Sequence, residues 1–445
     1  MRELQISADQ LVGSLLNLPG ELNLCLLDSC GVSYLNSHLL VAGICPTEII
    51  EIKNDEAEKT LEILDEKLSH SELNAIFTIS YDFGLKLNRI KSRHHNLTEP
   101  DVFLALFDVL IIHDYNTHKT YLTGNENKFD KIEKLLLSAT SRNFPQLSEN
   151  SSVSSNFTQI GYIEAVEKIQ EFIRCGDTYQ TNLTQQIRAE LPENLTPERI
   201  FHTLRKSHPA PFASFIRRKN DVVISASPER FFRVENDSIS TSPIKGTRPR
   251  GKTIEEDLQL RNELLNSEKD RAENVMIVDL LRNDIGKICE YGTVKVEKLC
   301  DLEEHSTLFH LVSTVAGELR PNLKFSEILR ATFPCGSITG APKIRTMKII
   351  DELETTSRGL SMGAIGFATS KKVKNLTPKT HHSSLFTHHS YDLSVAIRTM
   401  TIRGREAVFN VGGGIVIDSD PNSEYEETLT KAKALLNSIN GNFAQ

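Results

Sequence analysis

Two pairs of carboxylates carry the first chemical signal. Asp270 and Glu273 stand three residues apart, as do Glu424 and Glu427. That spacing puts both members of a pair on one helix face. Two helices that each present such a pair can cage a hard cation such as magnesium, which takes oxygen ligands and leaves part of its shell to water or substrate. Pairs like these also occur on ordinary solvated helix faces, so spacing alone leaves both readings open. Gly412, Gly413 and Gly414 form an unbroken run in VGGGIVID. Glycine weakens a strand interior. Three together point either to a ligand that needs close approach to backbone N–H groups, or to a bulge.

Three further side chains have types that suit catalysis. Arg398 lies in the otherwise apolar stretch SVAIRTM. A buried guanidinium needs a partner, and a substrate carboxylate or a structural ion pair would each serve. Lys245 sits in SPIKGTRPRG, close to Arg248 and Arg250. An amine attacks only when unprotonated, and burial and neighbouring positive charge both favour that form. A solvated turn lysine is the commoner case. Glu229, in SASPERFF, ends an apolar strand, where a raised pKa would let it donate a proton. A surface Glu paired with Arg230 is the alternative.

The elements that must hold these residues are legible in outline. Residues 1–140 mix short apolar runs such as LNLCLLD and VFLALFDVLIIHD with polar connections, which predicts strands and a helix at 56–69. Residues 141–158 are rich in Ser and Asn, and this linker composition sets the predicted boundary. It separates an N-terminal region, 1–145, from a catalytic region, 159–440. In the second region, IGYIEAVEKIQEFIRCG reads as an amphipathic helix closed by Gly176. Residues 255–285 read as one long helix. LSVAIRTMTIRG and EAVFNVGGGIVID read as a strand pair, and Ser423 with Glu426 as a capping box opening the last helix. Strands and helices do not alternate regularly, so an α+β fold with antiparallel sheets is expected. Residues 371–390 are polar and carry His381, His382, His388 and His389, which fits a solvated loop better than an organised metal site.

Composition narrows the function classes. The chain has 445 residues, 39% apolar content and a net charge of −8, which suits a globular protein and disfavours a nucleic-acid binder. The cysteine number, 7, is odd and no CxxC occurs, so reduced thiols in a cytoplasmic protein are expected. No signal peptide and no apolar run of about 18 residues is apparent, so neither export nor a membrane span is expected.

Nine motifs then occur in order: GDTYQTNLTQQ, SPERFF, PIKGTRPRG, AENVMIVDLLRNDIGK, HSTLFHLVSTVAGEL, FPCGSITGAPK, GAIGF, AIRTM and GGGIVIDSDPNSEYEET. Together, over about 159–437, they resemble the chorismate-binding enzymes. That family includes anthranilate synthase component I, aminodeoxychorismate synthase component I, and the isochorismate and salicylate synthases. The resemblance implies facing antiparallel sheets with helices packed outside, and chorismate with Mg2+ in a cleft between them. It implies Glu273 and Glu427 as direct magnesium ligands, supported by Asp270 and Glu424. Arg398 and the backbone of Gly412, Gly413 and Gly414 would hold substrate carboxylates, with Lys431 nearby. Thr247 and His310 would lie near the ring and its 4-hydroxyl.

Two positions bear on which member this is. Gln180 stands where isochorismate and salicylate synthases resemble one another in a water-activating lysine. Lys245 matches the PIKGT of aminodeoxychorismate synthases rather than the PIAGT of anthranilate synthases. The implied chemistry is attack by Lys245 at C2, protonation of the leaving 4-hydroxyl by Glu229, and displacement of the lysine by ammonia. The product would be 4-amino-4-deoxychorismate, a step toward 4-aminobenzoate and folate. No glutaminase nucleophile motif is present, so a separate glutamine amidotransferase subunit is implied as the ammonia source. Anthranilate formation, or a non-catalytic scaffold role, are the alternatives. Three departures stand out: Asn274 where the family usually has His, the insertion 371–390, and LLDSCG, which only loosely resembles the tryptophan-holding segment of relatives.

Overall fold

Short apolar runs bounded by turn residues form strands, and the computed structural model assembles them into a 13-stranded and a 10-stranded sheet. It describes residues 1–32, 34, 37–69, 73–94, 98–139, 149–235, 237–304, 308–369 and 390–443. The larger sheet contains the neighbour series Cys25–Asp28, Phe212–Arg217, Val222–Ser227, Thr399–Arg403, Glu406–Ile415 and Gln180–Glu190. The smaller contains Ile244–Pro249, Leu308–Glu318, Ser238–Ser242, Arg230–Glu235, Ser390–Val395, Ala364–Thr369 and Asn74–Ile79. Among the described residues pairing is antiparallel except where Gly441–Phe443 joins Ser151–Ser155. Both sheets take strands from before residue 140 and after residue 150.

The sheets face each other, as expected. Cys25, Val41, Ile112, Ile216 and Val223 of the larger sheet share a core with Ile76, Phe103, Phe107 and Ile365 of the smaller. Burying a side chain of this size stabilises by roughly 1.5–3 kcal/mol. Helices cover the outer faces. Leu61, Ile277 and Ile328 pack on the smaller sheet. Leu11, Ile132, Phe201 and Leu435 pack on the larger.

Local chemistry accounts for where elements start and stop. The Gln159–Arg174 helix is capped by Thr158, and Gly176 follows at φ +77°, as its sequence predicts. Three expectations need correction. The stretch 255–285 is two helices, Ile254–Asn266 and Glu268–Gly286, because Ser267 is extended and caps the second through Asp270 N. The last helix, Pro421–Ser438, is capped by Asp420, whose carboxylate accepts from Ser423 N, with Pro421 pre-setting the first turn. Ser423 is therefore inside the helix. Within the linker-like stretch, Ser151–Ser155 forms a strand on Gln180–Glu190, while 141–148 lie outside the described residues. The histidine-rich run 371–389 also lies outside them; the strands flanking it, Ala364–Thr369 and Ser390–Val395, pair antiparallel as expected of a hairpin.

One buried ion pair ties the layers. Arg358 donates to Glu354 at 2.7 and 2.9 Å, to Asn182 O at 2.7 Å and to Ile338 O at 3.0 Å. Glu354 in turn accepts from Thr184 N at 2.7 Å. The guanidinium lies 4.5 Å from the Tyr81 ring centroid. Removing one partner strands the other charge. Arg358→Met is expected to cost about 3–5 kcal/mol of stability, read as a lowered midpoint in urea unfolding. A loss below about 1 kcal/mol would show that Glu354 is relieved by other means.

Candidate active site

The site forms where the chain changes sheets. Val222–Ser227 belongs to the larger sheet and Arg230–Glu235 to the smaller, so Pro228 and Glu229 make the crossing. A second crossing runs from Ser390–Val395 back to Thr399–Arg403 through Ala396, Ile397 and Arg398. The two crossings bond to each other. Val395 N donates to Glu229 O at 3.0 Å, and Ala226 N donates to Arg398 O at 3.0 Å. Ser227 Oγ donates to Val395 O at 2.6 Å. Arg398 was expected within a strand; it lies between strands, at φ +47°.

Glu229 is buried and Arg398 partly buried, and neither makes an ion pair among the described residues. Glu229 is 6% exposed, and its Oε1 has no hydrogen-bond partner among the described residues. Burial pushes its carboxyl up, although the Ser337 hydroxyl and the charges of Lys245 and Lys431 oppose the shift. Pairing with Arg230 does not occur, because Arg230 binds Asp392 at 2.8 Å. Arg398 makes no ion pair among the described residues, and burial lowers its pKa. A partly buried guanidinium without a carboxylate carries a desolvation cost, and a bound anion relieves it.

The glycine run is the meeting point. Glu406–Ile415 pairs with Gln180–Glu190, setting Gly414 against Asn182 and Gly413 against Leu183. A Cβ on Gly414 would collide with Gln180 Nε2 and lie 3.5 Å from Lys245 Nζ. A Cβ on Gly413 would lie 3.1 Å from Glu424 Oε2, 3.7 Å from Lys431 Nζ and 3.8 Å from Glu427 Oε1. Neither residue has positive φ, so the glycines here supply close approach rather than a turn. Lys245, from the smaller sheet, thus reaches the glycine strand of the larger, and its charge acts on Glu229, Glu273 and Glu427. Gln180 is fully buried, and neither polar atom of its side chain has a partner among the described residues. Buried polar groups are nearly always satisfied, so an orphaned carboxamide in a cleft marks a ligand position.

Lys245 stands on Ile244–Pro249, the terminal strand of the smaller sheet. Gly246 follows at φ +81°, and a Cβ there would press on Leu264 and Asp270. The neighbouring arginines expected to act on Lys245 are spent elsewhere. Arg248 pairs with Glu263 at 2.8 Å and Asp270 at 3.3 Å, and Arg250 with Asp257 at 2.6 Å. On the same strand Thr247 Oγ1 and His310 Nδ1 are 2.8 Å apart.

The four carboxylates come from two helices, as their spacing predicts. Burial raises Glu273, against Lys245 and Lys269, and Asp270 and Glu427 push it further up. Burial likewise raises Glu424, against the Ser419 hydroxyl, which donates to it at 2.6 Å. Burial also pushes Glu427 up, but Lys431, at 2.6 Å, together with Lys269 and Lys245, makes the net shift downward. Among the described residues no three potential ligands already enclose an ion. The all-oxygen donor set and the mutual repulsion of Glu273, Glu424 and Glu427 nevertheless fit a hard divalent cation.

Lys269, Ser337 and Ser419 act on these groups and were not singled out from the sequence. Lys269 had a signal, since it lies one turn before Glu273 on the same helix. Ser337 and Ser419 had none. A groove of about 1290 Å³ beside Glu48–Ile52 and Arg217–Val222 contains none of the site residues.

The raised Glu229 pKa has a stability consequence. A carboxyl that binds its proton more tightly when folded contributes stability at low pH, and loses it as pH rises from its ordinary 4.5 through the raised value. Glu229→Gln removes the burdened charge. The variant is expected to gain on the native chain in urea midpoint as pH rises above 4.5. A gap independent of pH would show that Glu229 is not shifted upward.

The comparisons with known proteins follow this geometry. Residues 31–378 and 382–437 match the chorismate binding enzyme family. An aminodeoxychorismate synthase component 1 from Bacillus subtilis is 36% identical over 375 residues, 81% of this chain and 76% of that protein. An anthranilate synthase component 1 from Aquifex aeolicus is 37% identical over 356 residues, 76% of this chain and 68% of that protein. Among solved structures, anthranilate synthase component I from Streptococcus pneumoniae superposes with a TM-score of 0.76 at 28% identity, covering 91% of this chain and 93% of that one. The family match spans both sheet crossings, the glycine run and both acidic helices, and the chain is a member of the chorismate-binding enzyme family.

Proposed function

We propose that the chain is the chorismate-aminating component of an aminodeoxychorismate synthase, with Lys245 as a covalent nucleophile. The observation that carries this reading is Lys245 Nζ 3.5 Å from the Cβ position of Gly414, beside buried, unpartnered Gln180 and close enough to buried Glu229 for its charge to act on that carboxyl. Sequence identity does not separate the two aminating subfamilies, since relatives of both kinds lie at 36% and 37%. The residue at 245 does: lysine is the PIKGT form, alanine the PIAGT form.

The side chains divide the work. Arg398 binds one substrate carboxylate in its planar fork, and the N–H groups around Gly412, Gly413 and Gly414 bind the other. The Lys245 amine attacks ring carbon C2, both ring double bonds shift, and the C4–oxygen bond breaks. Glu229, held protonated by burial, gives its proton to the departing hydroxyl, which leaves as water. Ammonia then adds at C4, the C2–lysine bond breaks, and the amine is returned. Splitting one substitution into two is ordinary covalent catalysis. Thr247 and His310 orient the ring near its 4-position. Glu273 and Glu427 would hold Mg2+, supported by Glu424 and Asp270, and the ion would supply charge for the ring carboxylate. A separate glutamine amidotransferase subunit would provide the ammonia, and cytoplasmic chemistry fits the unpaired thiols. Among the described residues no helix is long and apolar enough to cross a membrane.

Anthranilate synthesis is the second reading, favoured by the likeness to the Aquifex and Streptococcus proteins. Incubation with chorismate, Mg2+ and ammonium is expected to yield 4-amino-4-deoxychorismate. Fluorescent anthranilate as the main product would reverse the choice. Lys245→Ala is expected to lower the rate by at least roughly 100-fold and to abolish any covalent mass increase with chorismate. Unchanged kinetics in that variant would remove Lys245 from the mechanism.

A further inference from the structure

Asn274 is completely buried directly beside Glu273, and its carboxamide bonds to a different element. Ser313 Oγ donates to Asn274 Oδ1, and Asn274 Nδ2 donates to Leu311 O at 3.4 Å. Both partners lie on Leu308–Glu318, the strand that carries His310. Ser313 is itself a junction. Its Oγ accepts from Cys300 N at 2.9 Å, and its N–H donates to Pro243 O at 3.2 Å, two residues before Lys245. The first of these bonds depends on an irregularity. Cys300 has φ +51°, and the register of its strand slips between Lys298 and Asp301, turning the Cys300 N–H toward Ser313.

We infer that Asn274 is a positioning residue whose carboxamide locks the Glu273-bearing helix to the strand that carries His310 and abuts Lys245. The inference rests on the proposed aminating function and deepens it, since it concerns how that site is held in register. The physical reason is the geometry of one amide. Its acceptor takes the Ser313 hydroxyl and its donor takes a backbone carbonyl, so sliding or rotation of the helix against the strand breaks at least one of the two bonds. In a fully buried position neither group can turn to water, so the break is resisted. Glu273 projects from the residue before Asn274, and His310 from the residue before Leu311. A single side chain therefore sets the separation between the carboxylate proposed for Mg2+ and the groups proposed to touch the ring. Partners of this kind behind ligand groups commonly change affinity or rate by roughly 10–100-fold when removed.

The test uses the full chain and two variants, Asn274→Ala and Ser313→Ala. Chorismate consumption with ammonium is followed whichever amine forms, and Mg2+ is titrated into each protein by calorimetry. Both variants are expected to lower kcat roughly ten-fold with a smaller change in chorismate KM, and to weaken Mg2+ uptake by a similar factor. The double variant is expected to lose less than the two single losses combined, because both substitutions cut the one Asn274–Ser313 bond, while Ser313→Ala also frees the Cys300 N–H. Folded variants with a lower Tm but with kcat and Mg2+ uptake within about two-fold of the native chain would overturn the inference. So would a native chain that takes up no Mg2+. If Asn274→Ala does not fold, Ser313→Ala, which removes one bond of the two, reads the same outcome. Absence of chorismate turnover in the native chain counts against the proposed function alone, because the calorimetric comparison still reads the link.

Discussion

The active-site region depends on two adjacent passages of the chain between the facing sheets. At 228–229 the chain leaves the larger sheet, and at 396–398 it returns, and the two passages bond to each other through Val395, Glu229, Ala226 and Arg398. A strand residue has its backbone committed to neighbours on both sides and its side chain to one face. A crossing residue is free of that alternation and lies in the seam between the layers. The fold thereby buries an acid and a guanidinium in the same seam without pairing them to each other. A buried acid and a guanidinium without an ion pair are costly, and a dianionic substrate with a leaving hydroxyl would use both.

The rest of the site follows from what the seam admits. The glycine run removes side chains where the larger sheet faces it, and Gln180, Lys245 and Lys431 fill the space so released. Electrostatics then separates groups of like chemistry. Burial raises the Glu229 carboxyl above its ordinary value, while Lys431 brings the net shift of Glu427 downward against burial. Carboxyl groups of one site are thus shifted in opposite directions by their surroundings. The buried Arg358–Glu354 pair does the corresponding structural work, holding Gln180–Glu190 against the loop at Ile338.

A good part of this was legible in residue spacing. The Asp270–Glu273 and Glu424–Glu427 pairs do share helix faces, and VGGGIVID is a strand whose glycines admit neighbouring side chains. An α+β fold with antiparallel sheets also follows from the irregular alternation of strands and helices, whereas the facing of the sheets came from the family resemblance. Misreadings arose where local chemistry overrides periodicity. A helix pattern continued through Ser267 because apolar spacing does not register a cap in the middle of a run. Ser423 mimicked a cap, yet Asp420 precedes Pro421 and takes that role. SVAIRTM read as one strand because a sheet change leaves the residue pattern apolar on both sides.

What the sequence by itself determined is the set of chemical groups and their local spacing: two acidic helix faces, a glycine strand, a lysine in PIKGT, and an arginine among apolar residues. Periodicity reaches only as far as one element, so it states which groups share a face and not which faces meet. The tertiary structure alone decided that Lys245 lies across from Gly414, that Arg248 and Arg250 are spent in ion pairs, and that Glu229 is buried with a free oxygen. Those outcomes arise from contacts between residues far apart in the chain, and from a burial that no single segment can provide. The same holds for Asn274, whose place beside Glu273 was visible at once and whose bond to Ser313 exists only because helix and strand are packed together.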